Sequence, residues 1–161
     1  SYMVLPEPLA EIFQSIKSQY DQTSSKTEQL TLALYMERGY YGIHLKKLRT
    51  LYAQKLKTAL RALEKNGSDF LITLNRSSGI HIPLVIRLPE TVPDHAAPEI
   101  SRRLCSAAET LRLKVLPLPS ESAPGKCGLL FYYNQIPLEE ISDAVKEMTG
   151  CWRQILNERC L

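Results

Sequence analysis

The chain has 161 residues, 44% of them apolar, and carries 20 Lys and Arg against 17 Asp and Glu for a net charge of +3. That length and apolar share suit one domain-sized core, and so mild a charge is unlike that of a domain built to grip nucleic acid. No apolar run nears the roughly 20 residues that cross a bilayer, and the start lacks the charged-then-apolar layout of a signal peptide. Cys105, Cys127, Cys151 and Cys160 form no CxxC pair and have no His at zinc-ligand spacing. The expectation is a cytoplasmic protein with free cysteines, no metal and no membrane partner.

In chain order, Tyr2 to Leu5 are apolar and extended in character, and read as the middle of a longer polypeptide. After Pro6 and Pro8, the spacing of Leu9, Ile12, Phe13, Ile16 and Tyr20 predicts a helix. Ser25 with Glu28 predicts a capping box opening a second helix, with Leu30, Ala33, Leu34 and Met36 facing inward and Gly39 as its stop. A third and longest helix is predicted over about 42–66. Leu45, Leu48, Tyr52, Leu56, Ala59, Leu60 and Leu63 line one face of it, and Asn66-Gly67 closes it. Lys46, Lys47, Arg49, Lys55, Lys57, Arg61 and Lys65 read as its solvated polar arc rather than a DNA-binding surface, because no aromatic residue is interleaved with them.

Beyond Gly67 the period shifts to two. Phe70 to Leu74 and Ile80 to Leu88 predict strands around a turn at Asn75–Gly79, with Pro83 predicting an edge strand or a bulge. Pro98 and Glu99 open a helix, Lys114 to Leu118 predicts a third strand, and Leu129 to Tyr133 a fourth. Pro137, with Glu139 and Glu140 near a positive dipole end, begins the last helix, whose inward stripe is Leu138, Ile141, Val145, Met148, Trp152 and Ile155. The sum is an α+β chain: a mainly antiparallel sheet of about four strands covered by helices and preceded by helices. No catalytic constellation stands out. Ser120 and Ser122 have no nucleophile elbow or positioned base beside them, and His44 and His81 read first as packing at a helix entry and a strand entry.

The entry to the long helix reads Gly39-x-Tyr41-x-x-His44-Leu45-Lys46-Lys47-Leu48-Arg49-x-x-Tyr52. It resembles the G-x-(Y/F)-x-x-H-(I/L)-R-R-(M/L)-R-x-x-Y stretch of MocR-type regulators in the GntR family, with two lysines in place of arginines. Tyr2 to Pro6, Glu28-Gln29, Ser78 to His81 and Tyr132 to Ile141 are similar to further segments of that family, so the resemblance spans nearly the whole chain. It implies the C-terminal part of a fold-type I, pyridoxal-phosphate-dependent, aminotransferase-like domain. Residues 1–38 would be the end of the large-domain region with linking helices, and residues 39–161 the small domain.

The same resemblance implies what this stretch does not carry. The lysine that forms the Schiff base, and an arginine for the cofactor phosphate, would lie before Ser1, and the DNA-binding winged helix farther upstream. The chain is then expected to have no catalytic residue and no cofactor of its own, with pyridoxal phosphate bound by the intact parent. Gly39, Tyr41, His44, Arg49, Tyr52, Gly79 and His81 are the family-motif positions, structural or facing the cleft. The expected partners are the chain's own large domain, a second subunit in a homodimer, a small-molecule effector, and DNA only through the winged helix. An arginine for a ligand carboxylate would fall near Pro119 to Ser122, where this sequence has none. The alternative is the small domain of a catalytic class I/II aminotransferase.

Overall fold

A computed structural model describes residues 4–17, 25–74, 79–88, 92–118 and 127–157. The expectations for Tyr2 and Met3, for the end of the first helix at Asp21–Ser24, for the turn at Asn75–Ser78 and for the loop Pro119–Ser122 lie outside these residues. The chain divides into two compact units, Ser1–Lys46 and Lys47–Leu161.

The first unit holds α1 (Glu7–Ile16), α2 (Lys26–Glu37) and the first residues of α3 (Tyr40–Gly67). Pro6 precedes α1, and its carbonyl accepts the amides of Leu9 and Ala10. Gly39, at a φ of 75°, takes the left-handed conformation that separates α2 from α3. Two expectations fail here. Ser25 stands at the N-cap of α2, yet its side chain makes no capping bond; its backbone carbonyl takes the Gln29 amide instead. The predicted inward stripes of α1 and α2 are bare, with Leu9, Ile12, Phe13, Leu30, Leu34 and Met36 all exposed, Leu30 to 62%. Neither helix buries a residue.

The second unit is built on a four-stranded antiparallel sheet. β1 (Leu71–Thr73), β2 (Ile82–Ile86), β3 (Val115–Pro117) and β4 (Cys127–Phe131) stand in the order β1-β2-β4-β3. Strand alternation and register sort their side chains into two faces. The rows Leu71–Ile86–Cys127, Thr73–Leu84–Leu129 and Ile82–Phe131–Val115 turn inward. They meet Ala59 and Leu63 of α3, Ile100, Leu104 and Ala108 of α4 (Ala97–Thr110), and Ile141, Val145, Met148 and Trp152 of α5 (Ile141–Asn157) in one core. Trp152 is fully buried and its indole N–H donates to the Leu104 carbonyl at 2.9 Å, which fastens α5 to α4. Ile72, Val85, Leu116 and Leu130 turn to the other face and remain half-buried or exposed.

Pro83 lies in an interior strand, not at an edge, and the ladder shows how. Its carbonyl accepts the Leu74 amide at 3.0 Å, so its ring nitrogen also points toward β1, where a residue with an N–H would return that bond. The β1–β2 pairing ends at Thr73↔Leu84, one residue short of Pro83. The missing donor thus coincides with the end of the ladder.

Candidate functional site

The seven family-motif positions fall into two groups. Gly39, Tyr41 and His44 lie in the first unit. Gly39 supplies the helix stop, and Tyr41 sets its ring edge-on to Tyr35 at 6.4 Å between centroids. His44 and Arg49 are exposed. Arg49, Tyr52, Gly79 and His81 belong to the second unit, the last three at one end of its sheet where β2 begins and β4 finishes.

That end has two storeys, which follow from the register. Continuing the ladder one residue past Ile82↔Phe131↔Val115 brings His81, Tyr132 and Lys114 side by side on the outer face. The His81 and Tyr132 rings lie 5.4 Å apart, and the Lys114 ammonium sits 4.8 Å from the Tyr132 ring centroid, a cation–π contact. One residue further, Tyr133 turns inward and is fully buried. Its hydroxyl donates to the Gly79 carbonyl, and burial, with Tyr52 beside it, pushes the phenol above its ordinary value. Gly79 is free to present that carbonyl because its φ of 103° is open to glycine and strained for other residues.

Lys55 completes the arrangement. The polar arc expected of α3 holds for Lys57, Arg61 and Lys65, but Lys55 is only 8% exposed and its Nζ donates to the Asn134 carbonyl at 2.9 Å. The correction has a simple origin. Lys55 stands three residues after Tyr52 and four before Ala59, within the buried stripe, and only its residue type, not its spacing, suggests an outward position. Sequence reasoning also missed Asn134. Lys55 thereby ties the middle of α3 to the residues that follow β4.

Chemically, the arrangement orients and anchors. It pairs no nucleophile with a base, and no described group of His, Cys, Asp and Glu could hold a metal ion. Two buried polar atoms, His81 Nδ1 and Asn134 Oδ1, have no partner among the described residues. Pyridoxal phosphate, the cofactor of the resembling family, does not fit as a covalent guest of these residues: the buried lysine, Lys55, commits its ammonium to a backbone carbonyl. None of the described helices is long and apolar enough to cross a membrane.

The two-layer arrangement is that of the aminotransferases. LysN, the α-aminoadipate aminotransferase of Thermus thermophilus, superposes with a TM-score of 0.69 at 17% identity, over 96% of this chain and 37% of that one. An aspartate transaminase of Corynebacterium glutamicum matches 68% of this chain and 25% of its own at a TM-score of 0.51 and 18% identity. In sequence, the relatives are regulators. The HTH-type transcriptional regulator YdeL of Bacillus subtilis is 26% identical over 155 residues, 95% of this chain and 32% of YdeL. The probable rhizopine catabolism regulatory protein MocR of Rhizobium meliloti is 28% identical over 153 residues, 94% of this chain and 29% of its own length. The chain thus spans about a third of the length of the curated relatives it matches. No protein-family model matches it.

Proposed function

We propose that this chain is the C-terminal, small-domain portion of the aminotransferase-like domain of a MocR-type, GntR-family transcriptional regulator. The observation that carries the reading is the near full-length match to HTH-type regulators, MocR among them, by a chain folded like an aminotransferase. Residues 1–38 then end the large-domain region and residues 39–161 form the small domain. The regulator reading is favoured over a catalytic transaminase because the sequence relatives are regulators, whereas the enzymes share only the fold.

In the intact cytoplasmic dimer, pyridoxal phosphate and an effector occupy the cleft of the larger domain. The motif positions Gly39, Tyr41, His44, Arg49, Tyr52, Gly79 and His81 then serve as structural or cleft-facing residues. α3 is the rigid element between cleft and small domain, tied by Lys55 to the Asn134 carbonyl. An effector acts by binding two arrangements of the small domain with different affinity, which changes how the dimer presents its winged helices. The chain itself performs no catalysis.

Duplex-binding measurements at physiological salt test this. The whole polypeptide should bind its operator, and residues 1–161 alone should give no shift. Tight sequence-specific binding by residues 1–161 would place the DNA-reading element inside this chain and end the proposal.

A further inference from the structure

Among the described residues, Arg112 is the non-glycine residue in a left-handed conformation, with φ at 59°. It occupies the position just past the end of α4 where helices favour Gly or Asn. Its amide donates to the Glu109 carbonyl at 2.8 Å and the next amide, of Leu113, to Ala108 at 2.9 Å, a paired helix closure. The closure asks only for a residue that tolerates positive φ, so an arginine there is kept against local preference. Such strain points to a use for the side chain.

That side chain lines a groove between α4 and β3, together with Arg102 and Lys114. Arg102 is paired with Glu99 at 3.0 Å and the Lys114 ammonium lies over the Tyr132 ring, whereas Arg112 has no carboxylate within ion-pair distance among the described residues. Cys105, Leu116 and Pro117 give the groove an apolar wall, and Glu109 is the carboxylate at its rim. The groove is open to solvent and measures about 610 Å³, within the range of small-molecule sites. Burial pushes the Cys105 thiol up to about 11, so the wall stays neutral toward an anion at physiological pH.

We propose that this groove is a binding site for a small organic oxyanion, a phosphate or carboxylate on an apolar body. Its head would lie against the Arg112 guanidinium, and its body against Leu116 and Pro117. A guanidinium grips planar oxyanions through paired N–H donors, which a glycine in the same backbone position lacks. The proposal rests on this groove alone, and its test does not depend on the regulator reading.

The test is amide-resolved NMR titration of residues 1–161 with phenyl phosphate, benzoate and inorganic phosphate, on the wild type and on Arg112→Gly. Saturable shifts should map to residues 112–116, and one of the two ring-bearing anions should bind at least about tenfold tighter than inorganic phosphate. Arg112→Gly should raise Tm by about 2 °C by relieving the left-handed strain, yet weaken binding about tenfold or more. The combination of greater stability and weaker binding separates a ligand-gripping role from a structural one. No saturable binding, an unchanged Kd in Arg112→Gly, or inorganic phosphate binding as tightly as both ring-bearing anions would overturn the proposal.

Discussion

Lys55 and Lys57 are two residues apart on α3 and meet opposite surroundings. Lys57 is solvated, whereas Lys55 is buried with its ammonium on the Asn134 carbonyl. Truncating Lys57 removes only solvated atoms, so Lys57→Ala should change stability by less than about 0.5 kcal/mol. Lys55→Ala removes packed methylenes and strips the Asn134 carbonyl of its donor, and should cost about 2 kcal/mol. Urea unfolding of the two variants checks this, and equal midpoints would show that the Lys55 bond does not persist in solution. The glycine at 79 and the tyrosine at 133 form a similar pair, since the Tyr133 hydroxyl donates to the carbonyl of a glycine held at a φ of 103°.

At the scale of elements, α3 and α5 are clamped where α3 ends. Arg153 of α5 donates to both Asp69 carboxylate oxygens, at 2.9 and 3.2 Å, and to the Asn66 carbonyl at 2.7 Å, with its guanidinium over the Phe70 ring. The hydrogen bond from Arg153 holds the Asp69 carboxyl below its ordinary 3.8. A carboxylate whose folded value is depressed adds stability above its unfolded value, and that increment is lost as pH falls through the folded one. Wild-type stability should therefore drop below about pH 4 more steeply than that of Asp69→Asn. Unfolding midpoints of both proteins between about pH 2 and pH 6 decide it: parallel curves would mean that the exposed pair contributes nothing.

The element order was legible from period and punctuation alone. Gly39, Asn66-Gly67 and Pro98 mark real boundaries, but the last helix, expected from Pro137, begins at Ile141 after a turn that holds Leu138; Ile141, Val145, Met148 and Trp152 of its expected stripe are buried. The long helix, expected over about 42–66, runs Tyr40–Gly67. What failed depends on neighbours far away in the chain. Pro83 suggested an edge because sequence cannot show that the partner strand stops at Thr73. The α1 and α2 stripes suggested burial because amphipathicity reports a face that wants cover, not whether cover is present. Of the site, Tyr52, Gly79 and His81 were found through the family motif, while Lys55 and Asn134 required the fold, since a lysine's long stem lets it lie in an apolar stripe unannounced.

For the molecule as a whole, the two units differ in kind. The second has a closed core from α3 to α5, whereas the first exposes Leu9, Ile12, Phe13 and Leu30 on helices that bury nothing. The chain as a whole spans about a third of the length of the regulators it matches. The most direct measurement is borohydride reduction of the intact polypeptide with pyridoxal phosphate, followed by peptide mass mapping. The account predicts a single reduced adduct on a lysine outside residues 1–161. An adduct on Lys17, Lys26, Lys55 or any other lysine within this stretch would contradict it.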